Sequence, residues 1–158
     1  MIAEQRKVPE SIPEGDVRTQ YAALCFDTSR GKTRVLLVTS RDTRRWIVPK
    51  GWPIKGATPA GSAAREAWEE AGVVGRLFDQ CLGIYSYVKR EDKGPDLPCA
   101  VTVYPVKVLS LKGDYPERRE RRRKWFSLAK AAERVDEAEL AQILRAFDPK
   151  ALQPGLEA

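Results

Sequence analysis

The amino-acid sequence predicts a mixed α/β domain in which a sheet with antiparallel strands is sandwiched between helices. Short apolar runs of the kind that form buried strands recur along most of the chain. A helix with clear start and stop signals, Pro59–Ala71, interrupts them, and two further helical patterns follow over residues 128–134 and 136–147. Because every strand and helix must bury an apolar face, a sheet packed between helices satisfies all of them.

The predicted elements fill one domain between two polar ends. The strands cover residues 20–26, 35–39, 46–48, 75–78, 82–88, 100–108 and 125–126. Residues 1–17 are polar and are predicted to be a flexible lead-in, the domain spans residues 18–148, and residues 149–158 form a C-terminal tail. A length of 158 residues, of which 42% are hydrophobic, is enough for a single domain with its own core.

Residue usage excludes several classes of chemistry. The chain has no histidine, so Ser-His-Asp and Cys-His catalysis and zinc sites with histidine ligands are excluded. Its three cysteines lack Cys-x-x-Cys spacing, and their odd number argues against a disulfide framework. No apolar run is long enough to span a membrane. We therefore expect a protein of the reducing cytoplasm in which carboxylates, Lys, Tyr or metal-bound water perform acid–base work.

The helix Pro59–Ala71 is the best defined element of the sequence. Thr58 can cap its first turn, Pro59 suits the first helical position, and Gly72 suits the position just past its end. Small residues occupy one narrow stripe of the helical wheel and would let the helix lie close to a sheet. The stripe contains Ala60, Ala64, Ala67 and Ala71.

A separate face of this helix carries Glu66, Glu69 and Glu70. Their i,i+3 and i,i+4 spacings make them neighbours that repel one another, and they lie toward the helix C-terminus, where the dipole disfavours negative charge. Only Arg65 offsets this locally, by pairing with Glu69. A hard divalent cation would relieve the repulsion, and carboxylate oxygens are the ligands it prefers. The alternative is that the three are solvated surface side chains.

The sequence of residues 51–73, GWPIKGATPAGSAAREAWEEAGV, resembles the Nudix box: Gly, five residues, Glu, seven residues, then Arg-Glu-hydrophobic-x-Glu-Glu-x-Gly-hydrophobic. Gly51 fits the first glycine, and residues 65–73 fit the second half in register. One position departs from the pattern, because Ala57 stands where the box has its first glutamate. The segments WIVPKG before the box and RKWF at residues 123–126 are similar to the subgroup of diphosphoinositol polyphosphate and diadenosine polyphosphate hydrolases.

The resemblance implies an α/β/α sandwich with a mixed central sheet and metal-dependent hydrolysis of a phosphoanhydride bond. Mg²⁺ is the implied cofactor, with Mn²⁺ as a substitute. Glu66, Glu69 and Glu70 would bind metal and act in catalysis, and Arg65 would hold their geometry through charge-assisted hydrogen bonds. Since the chain has no histidine, we take Glu66 or Glu69 as the nearest base and Glu70 as a direct metal ligand.

In many members of the family a further glutamate from a later loop completes the metal site. Glu117 and Glu120, a few residues before the RKWF segment, are the candidates in this chain, and Glu120 is preferred.

Substrate binding must rely on cations, and the net charge of +6 favours an anionic partner, although a basic surface that serves solubility alone is the alternative. The candidate substrate-binding residues are Arg18, Ser40, Arg41, Arg45, Lys50, Gly51, Lys55 and Lys89. The densest basic block is RRERRRK at residues 118–124. It fits either a phosphate or nucleic-acid surface or a solvated loop, and we favour a loop with one or two arginines facing the substrate.

Three functions remain open at this point. The leading one is hydrolysis of a diphosphoinositol polyphosphate or a diadenosine polyphosphate. The second is removal of pyrophosphate from RNA 5′ ends, which suits a basic surface. The third is a non-catalytic Nudix-like module that binds a nucleotide, which Ala57 favours and the complete set of helix glutamates disfavours. The box indicates the reaction and not the molecule, and the oligomeric state stays open.

Overall fold

Residues 17–153 are described by the computed structural model. The predicted lead-in, apart from Val17, and the last five residues of the predicted tail lie outside the described residues. In chain order the elements are β1 (Arg18–Asp27), β2 (Arg34–Thr39), β3 (Trp46–Ile47), β4 (Lys50–Gly51), α1 (Pro59–Ala71), β5 (Val73–Leu77), β6 (Gly83–Lys89), β7 (Leu97–Leu111), β8 (Arg123–Ser127), α2 (Leu128–Arg134), α3 (Ala138–Ala146) and a 3-10 turn (Pro149–Ala151).

The sheet is built around β1 and β7, which run parallel to each other along almost all of β1. The other strand pairs in the described part of the chain are antiparallel: β2 and β4 pair with β1, β5 and β6 pair with β7, and β3 and β8 pair with β2. The central sheet is therefore mixed. A parallel neighbour cannot be joined by a tight hairpin, and the chain between β1 and β7 includes α1.

The two faces of the sheet carry separate hydrophobic cores. Successive side chains of a strand point to opposite faces, so Leu24 and Phe26 pack with α2 and α3, whereas Ala23 and Cys25 pack with α1. This arrangement confirms the predicted α/β/α sandwich with a mixed central sheet. No helix within residues 17–153 is long and apolar enough to cross a membrane.

The limits of α1 are those that the sequence predicts. The Thr58 hydroxyl accepts a hydrogen bond from the Gly61 N–H at 3.0 Å, and Pro59 is the first helical residue. Gly72 adopts the left-handed conformation with φ of 68°, which a glycine reaches without steric cost.

The small-residue stripe of α1 differs from the prediction at one position. Ala63 is fully buried, whereas Ala64 is only partly buried at the edge of the same core. At 100° per residue, Ala63 lies on the side of the stripe next to Glu70, and Ala64 lies on the opposite side. The helix therefore turns its glutamate-bearing side further toward the sheet than the predicted stripe implies.

The short strand β4 was not predicted, because its sequence lies in a segment rich in Gly, Pro and Lys. Its pairing with Tyr21 and Ala22 of β1 is a long-range contact that local composition does not reveal. β4 brings the residues just before the box loop against the sheet, next to the start of the functional site. At the other end of the chain, Leu152 packs against the core beyond the 3-10 turn.

Candidate active site

Four glutamates are buried together beside the last turns of α1. Glu66, Glu69 and Glu70 expose only 5%, 7% and 4% of their surface, so the alternative of solvated surface side chains is wrong for all three. Glu117 lies in the turn before β8 and is 6% exposed, and its backbone N–H donates to the Glu69 carbonyl at 2.9 Å. Burying an ionised carboxylate costs free energy unless cations and hydrogen bonds compensate its charge. The groups that surround these glutamates therefore determine whether they are ionised and what they can bind.

Gly51 of β4 lies directly against Glu66. A β-carbon at position 51 would overlap the carboxylate of Glu66, so any larger residue there requires the carboxylate to move. The first glycine of the box therefore makes room for the first glutamate of the helix.

Glu70 is the most enclosed of the three helix glutamates. The Lys50 backbone N–H donates to its Oε1 at 3.3 Å, and Nη2 of Arg121 lies 3.7 Å from its Oε2. Burial raises the pKa of Glu70 to about 7; Arg121 and Lys50 oppose the rise, and the negative charge of Glu117 adds to it. A nearby positive charge therefore stabilises the ionised form of this buried carboxylate more than it would stabilise a solvated carboxylate.

Arg121 is the cation that joins the helix glutamates to the later turn. Its Nε donates to Oε1 of Glu117 at 3.0 Å, and its Nη1 donates to the Thr39 carbonyl at 3.1 Å. Its side chain is 9% exposed. One guanidinium thus contacts Glu70, Glu117 and the end of β2, an arrangement that its planar fork of donors permits.

Glu69 pairs with Arg65 as predicted, with a distance of 2.8 Å between Nε and Oε1. Within residues 17–153, no three acidic or thiol side chains are placed to hold one metal ion as they stand. The reason is that the carboxylates have different partners: Glu69 faces Arg65, Glu70 faces Arg121, and Glu66 lies against Gly51. The donor set itself consists of carboxylate oxygens, which suit a hard divalent cation.

The structure brings several of the predicted substrate-binding residues to the same end of the sheet. By alternation along the strands, Arg18 of β1, Lys89 of β6 and Lys50 of β4 share one sheet face, with Cys99 of β7 paired beside Arg18. Lys50 Nζ lies 4.6 Å from the centre of the Tyr87 ring. Burial lowers the pKa of Lys50, Glu70 opposes this, and the charges of Arg121 and Arg45 lower it further.

The loop between β2 and β3 supplies Arg41 to this end of the molecule. Arg41 Nη1 lies 3.2 Å from Oε1 of Glu120 and 3.7 Å from Oε1 of Glu117. The Ser40 hydroxyl hydrogen-bonds with Thr43 at 2.7 Å and accepts the Arg45 N–H at 3.2 Å, so it closes the loop. Lys55 lies in the exposed turn between β4 and α1.

Comparison with known proteins identifies the family. Residues 18–147 match the family model of the NUDIX domain. Over 121 residues the chain is 35% identical to diphosphoinositol polyphosphate phosphohydrolase 3-beta of Homo sapiens, covering 75% of this chain and 69% of that protein.

The chain belongs to the Nudix family.

Solved structures agree with the fold of this Nudix chain. A binary complex of a C. elegans Ap4A hydrolase matches with a TM-score of 0.62 at 23% identity, covering 82% of this chain and 93% of that one. The MutT protein from Methanosarcina mazei Go1 matches with a TM-score of 0.59 at 19% identity, covering 88% and 98% of the two chains. The prediction that the chain is an enzyme of the Nudix pyrophosphohydrolase type is confirmed, which removes the non-catalytic module as an alternative.

The departure from the Nudix box at Ala57 lies at the surface. Ala57 is exposed in the turn before α1, and its N–H donates to the Ile54 carbonyl at 3.0 Å. The position that carries a glutamate in the box therefore forms part of a hydrogen-bonded turn here, and the buried carboxylates come from α1 and from Glu117.

The two later-loop candidates occupy different positions in this Nudix chain. Glu117 is buried and pairs with Arg121, which also contacts Glu70. The preferred candidate, Glu120, keeps 29% of its side chain exposed and pairs with Arg41. Their spacing to the RKWF segment did not distinguish them, whereas the i,i+4 spacing from Glu117 to Arg121 is a signal that the sequence offered.

The basic block divides into two groups. Arg121 is internal, and Arg123 Nη1 donates to the carbonyls of Ala71 at 2.7 Å and Lys112 at 2.9 Å, which caps the end of α1. Four exposed cations remain: Arg118, Arg119, Arg122 and Lys124. Sequence reasoning missed the structural roles of Arg121 and Arg123, because a run of like residues gives no local signal of which side chains turn inward.

We expect Gly51→Ala to reduce kcat by about a hundredfold, because a β-carbon there displaces the Glu66 carboxylate and small misplacements of catalytic groups are costly. The measurement is steady-state hydrolysis of the best wild-type substrate. Gly113→Ala is the matched control, since a β-carbon there meets no heavy atom within 4 Å. Full activity of Gly51→Ala would show that the close approach to Glu66 has no catalytic role.

Proposed function

We propose that this Nudix enzyme uses a divalent cation to hydrolyse a phosphoanhydride bond in a highly anionic small molecule, a diphosphoinositol polyphosphate or a diadenosine polyphosphate. The observation that carries the proposal is the burial of four glutamates, three on α1 and one at Glu117, beside Arg121 and near enough to Lys50 for its charge to act on Glu70. Buried carboxylates are stabilised by binding a metal ion, and neighbouring cationic side chains are stabilised by binding an anion. Together they suit a polyphosphate that binds as its metal complex.

Mg²⁺ is the proposed cofactor, with Mn²⁺ as a substitute, and Glu66, Glu69 and Glu70 are the proposed ligands. When bound, the cation neutralises charge on the phosphoanhydride and lowers the pKa of a coordinated water. Glu66 or Glu69 would accept the proton of the attacking water. Arg65 orients Glu69 through a hydrogen bond of 2.8 Å from its Nε to Oε1. We assign the later-loop carboxylate to Glu117 rather than Glu120, because Glu117 is linked to Glu70 through Arg121.

The substrate class rests on the cations and on the names of the relatives. Arg18, Lys50 and Lys89 share one sheet face, and Lys50 lies within electrostatic reach of both Glu70 and Arg45. Several cations on one sheet face suit a substrate whose phosphates extend away from the scissile bond. Relatives whose names specify diphosphoinositol polyphosphates support this class.

The test is phosphate release from a panel of substrates: diadenosine polyphosphates, a diphosphoinositol polyphosphate, common nucleoside diphosphate derivatives and triphosphorylated RNA. We expect turnover with Mg²⁺ on one of the first two, loss of turnover with a chelator, and loss in the Glu69→Gln variant. Glu133→Gln is the control, because it makes the same charge change on the exposed side of α2. Turnover that persists in chelator, or in Glu69→Gln, would overturn the metal-dependent mechanism.

RNA 5′-pyrophosphate removal is a second candidate, favoured by the exposed cations of the basic block. Arg118, Arg119 and Arg122 precede β8, close in sequence to Glu117 and Arg121 of the site. An exposed basic strip beside a phosphoanhydride site would contact the phosphates that follow an RNA 5′ end. Faster turnover of triphosphorylated RNA than of the small molecules would select this function.

A further inference from the structure

Arg45 and Glu137 form the shortest ion pair between the loop before β3 and the start of α3. Nη1 of Arg45 lies 2.7 Å from Oε2 of Glu137 and 3.7 Å from Oδ2 of Asp136. The Glu137 side chain is only 11% exposed, whereas Asp136 is 68% exposed. Two acidic residues thus compensate a single arginine that the sequence suggested for substrate binding.

The Arg45 guanidinium lies close enough to the proposed substrate site to act on its charges. Its charge acts on Lys50, which also feels Glu70 and Arg121. The Ser40 N–H donates to the Arg45 carbonyl at 2.8 Å, and the carbonyl of the preceding residue, Thr39, accepts a hydrogen bond from Nη1 of Arg121 at 3.1 Å, so Arg45 and Arg121 both lie at the end of β2. Of these two arginines, Arg45 is the one whose charge is balanced by acidic residues outside the glutamate cluster.

Within residues 17–153, the Glu137 side chain has no evident structural role other than its pair with Arg45. It precedes the first residue of α3, but its side chain makes no capping hydrogen bond there. Its Oε1 is buried without a hydrogen-bond partner among the described residues, so its charge depends on Arg45. A substrate that drew Arg45 away would leave a buried carboxylate uncompensated, which is strongly unfavourable.

We propose that Glu137, assisted by Asp136, is a specificity-determining residue that holds Arg45 in a neutralised pair and so limits how much negative charge the substrate site accepts. The proposal rests on the proposed function, because it concerns the same site. The alternative is that Arg45 binds a substrate phosphate directly and that Glu137 only positions its guanidinium. Under the proposal, removing the Glu137 charge strengthens binding of a highly charged anion, whereas under the alternative it weakens that binding.

The test is the dissociation constant of two anionic probes, inorganic pyrophosphate and inositol hexakisphosphate, measured in metal-free buffer. Glu137→Gln keeps the shape of the side chain and removes its charge. We expect it to bind inositol hexakisphosphate about tenfold more tightly than the wild type and pyrophosphate at most about twofold more tightly. Asp136→Asn is a second variant that does not disturb a buried group, and a smaller change in the same direction is expected.

Glu133→Gln is the matched control, because it removes the same charge from an exposed position of α2. The double variant Arg45→Gln/Glu137→Gln should lose the gain in affinity. Unchanged or weaker binding of inositol hexakisphosphate by Glu137→Gln, or a gain that persists without Arg45, would overturn the proposal. Failure of the wild type and every variant to bind inositol hexakisphosphate would also overturn it. Either result would leave the proposed function intact, because that function is tested separately by Mg²⁺-dependent turnover on the substrate panel.

Discussion

Glu70→Gln is expected to lower kcat by about a thousandfold while the fold is retained, because the amide removes the charge that a metal ion requires and keeps the volume of the side chain. The amide oxygen can still accept the Lys50 N–H, which lies 3.3 Å from Oε1 of Glu70 in the wild type. The measurement is kcat at saturating Mg²⁺ together with the Mg²⁺ concentration that gives half-maximal rate. Glu133→Gln, with the same loss of charge on exposed α2, should behave as the wild type.

The same substitution should have the opposite effect on stability when no metal is present. The pKa of Glu70 is raised to about 7 by burial, so the protonated form favours folding below the unfolded pKa and this contribution is lost as the pH rises through 7. Above that pH the wild type buries a charge that the Gln variant lacks. The metal-free variant should therefore have a higher Tm than the metal-free wild type at pH 8. Full activity, or a Tm that falls in metal-free buffer, would contradict the role assigned to Glu70.

The parts of this molecule that the sequence predicts are those whose causes are local. Thr58, Pro59 and Gly72 act on the turn in which they stand, and α1 begins and ends at the predicted residues. The glutamate cluster also follows from spacing along one helix. Strand β4 was not predicted because it forms only by pairing with β1. In that pairing Lys50 lies opposite Ala22, about 28 residues earlier in the chain.

The cations of the site could not be sorted from the sequence, because their partners are distant along the chain. Arg45 and Glu137 are 92 residues apart, and Arg41 and Glu120 are 79 apart. In the basic block, Arg121 and Arg123 are drawn inward by buried acceptors, while their neighbours stay exposed. Only the packing of the turn before β8 against α1 determines which arginine meets a carboxylate.

Arg121→Met is expected to destabilise the protein by about 3–5 kcal/mol, since it leaves the buried Glu70 and Glu117 without their shared cation. Methionine fills much of the volume of the arginine stem, so the loss reports charge and hydrogen bonding more than packing. The measurement is the free energy of unfolding from urea titration in metal-free buffer. Arg119→Met is the control, because Arg119 is an exposed member of the same basic block.

Two companion variants separate the charge from the geometry of Arg121. Arg121→Lys keeps the charge, but a single ammonium cannot reproduce the planar fork that reaches Glu70, Glu117 and the Thr39 carbonyl, so only part of the stability should return. Arg121→Met/Glu117→Gln removes one of the two stranded carboxylates and should be more stable than Arg121→Met alone. If the double variant were the less stable of the two, the loss in Arg121→Met would come from packing, and the buried glutamates would not depend on this arginine for their charge balance.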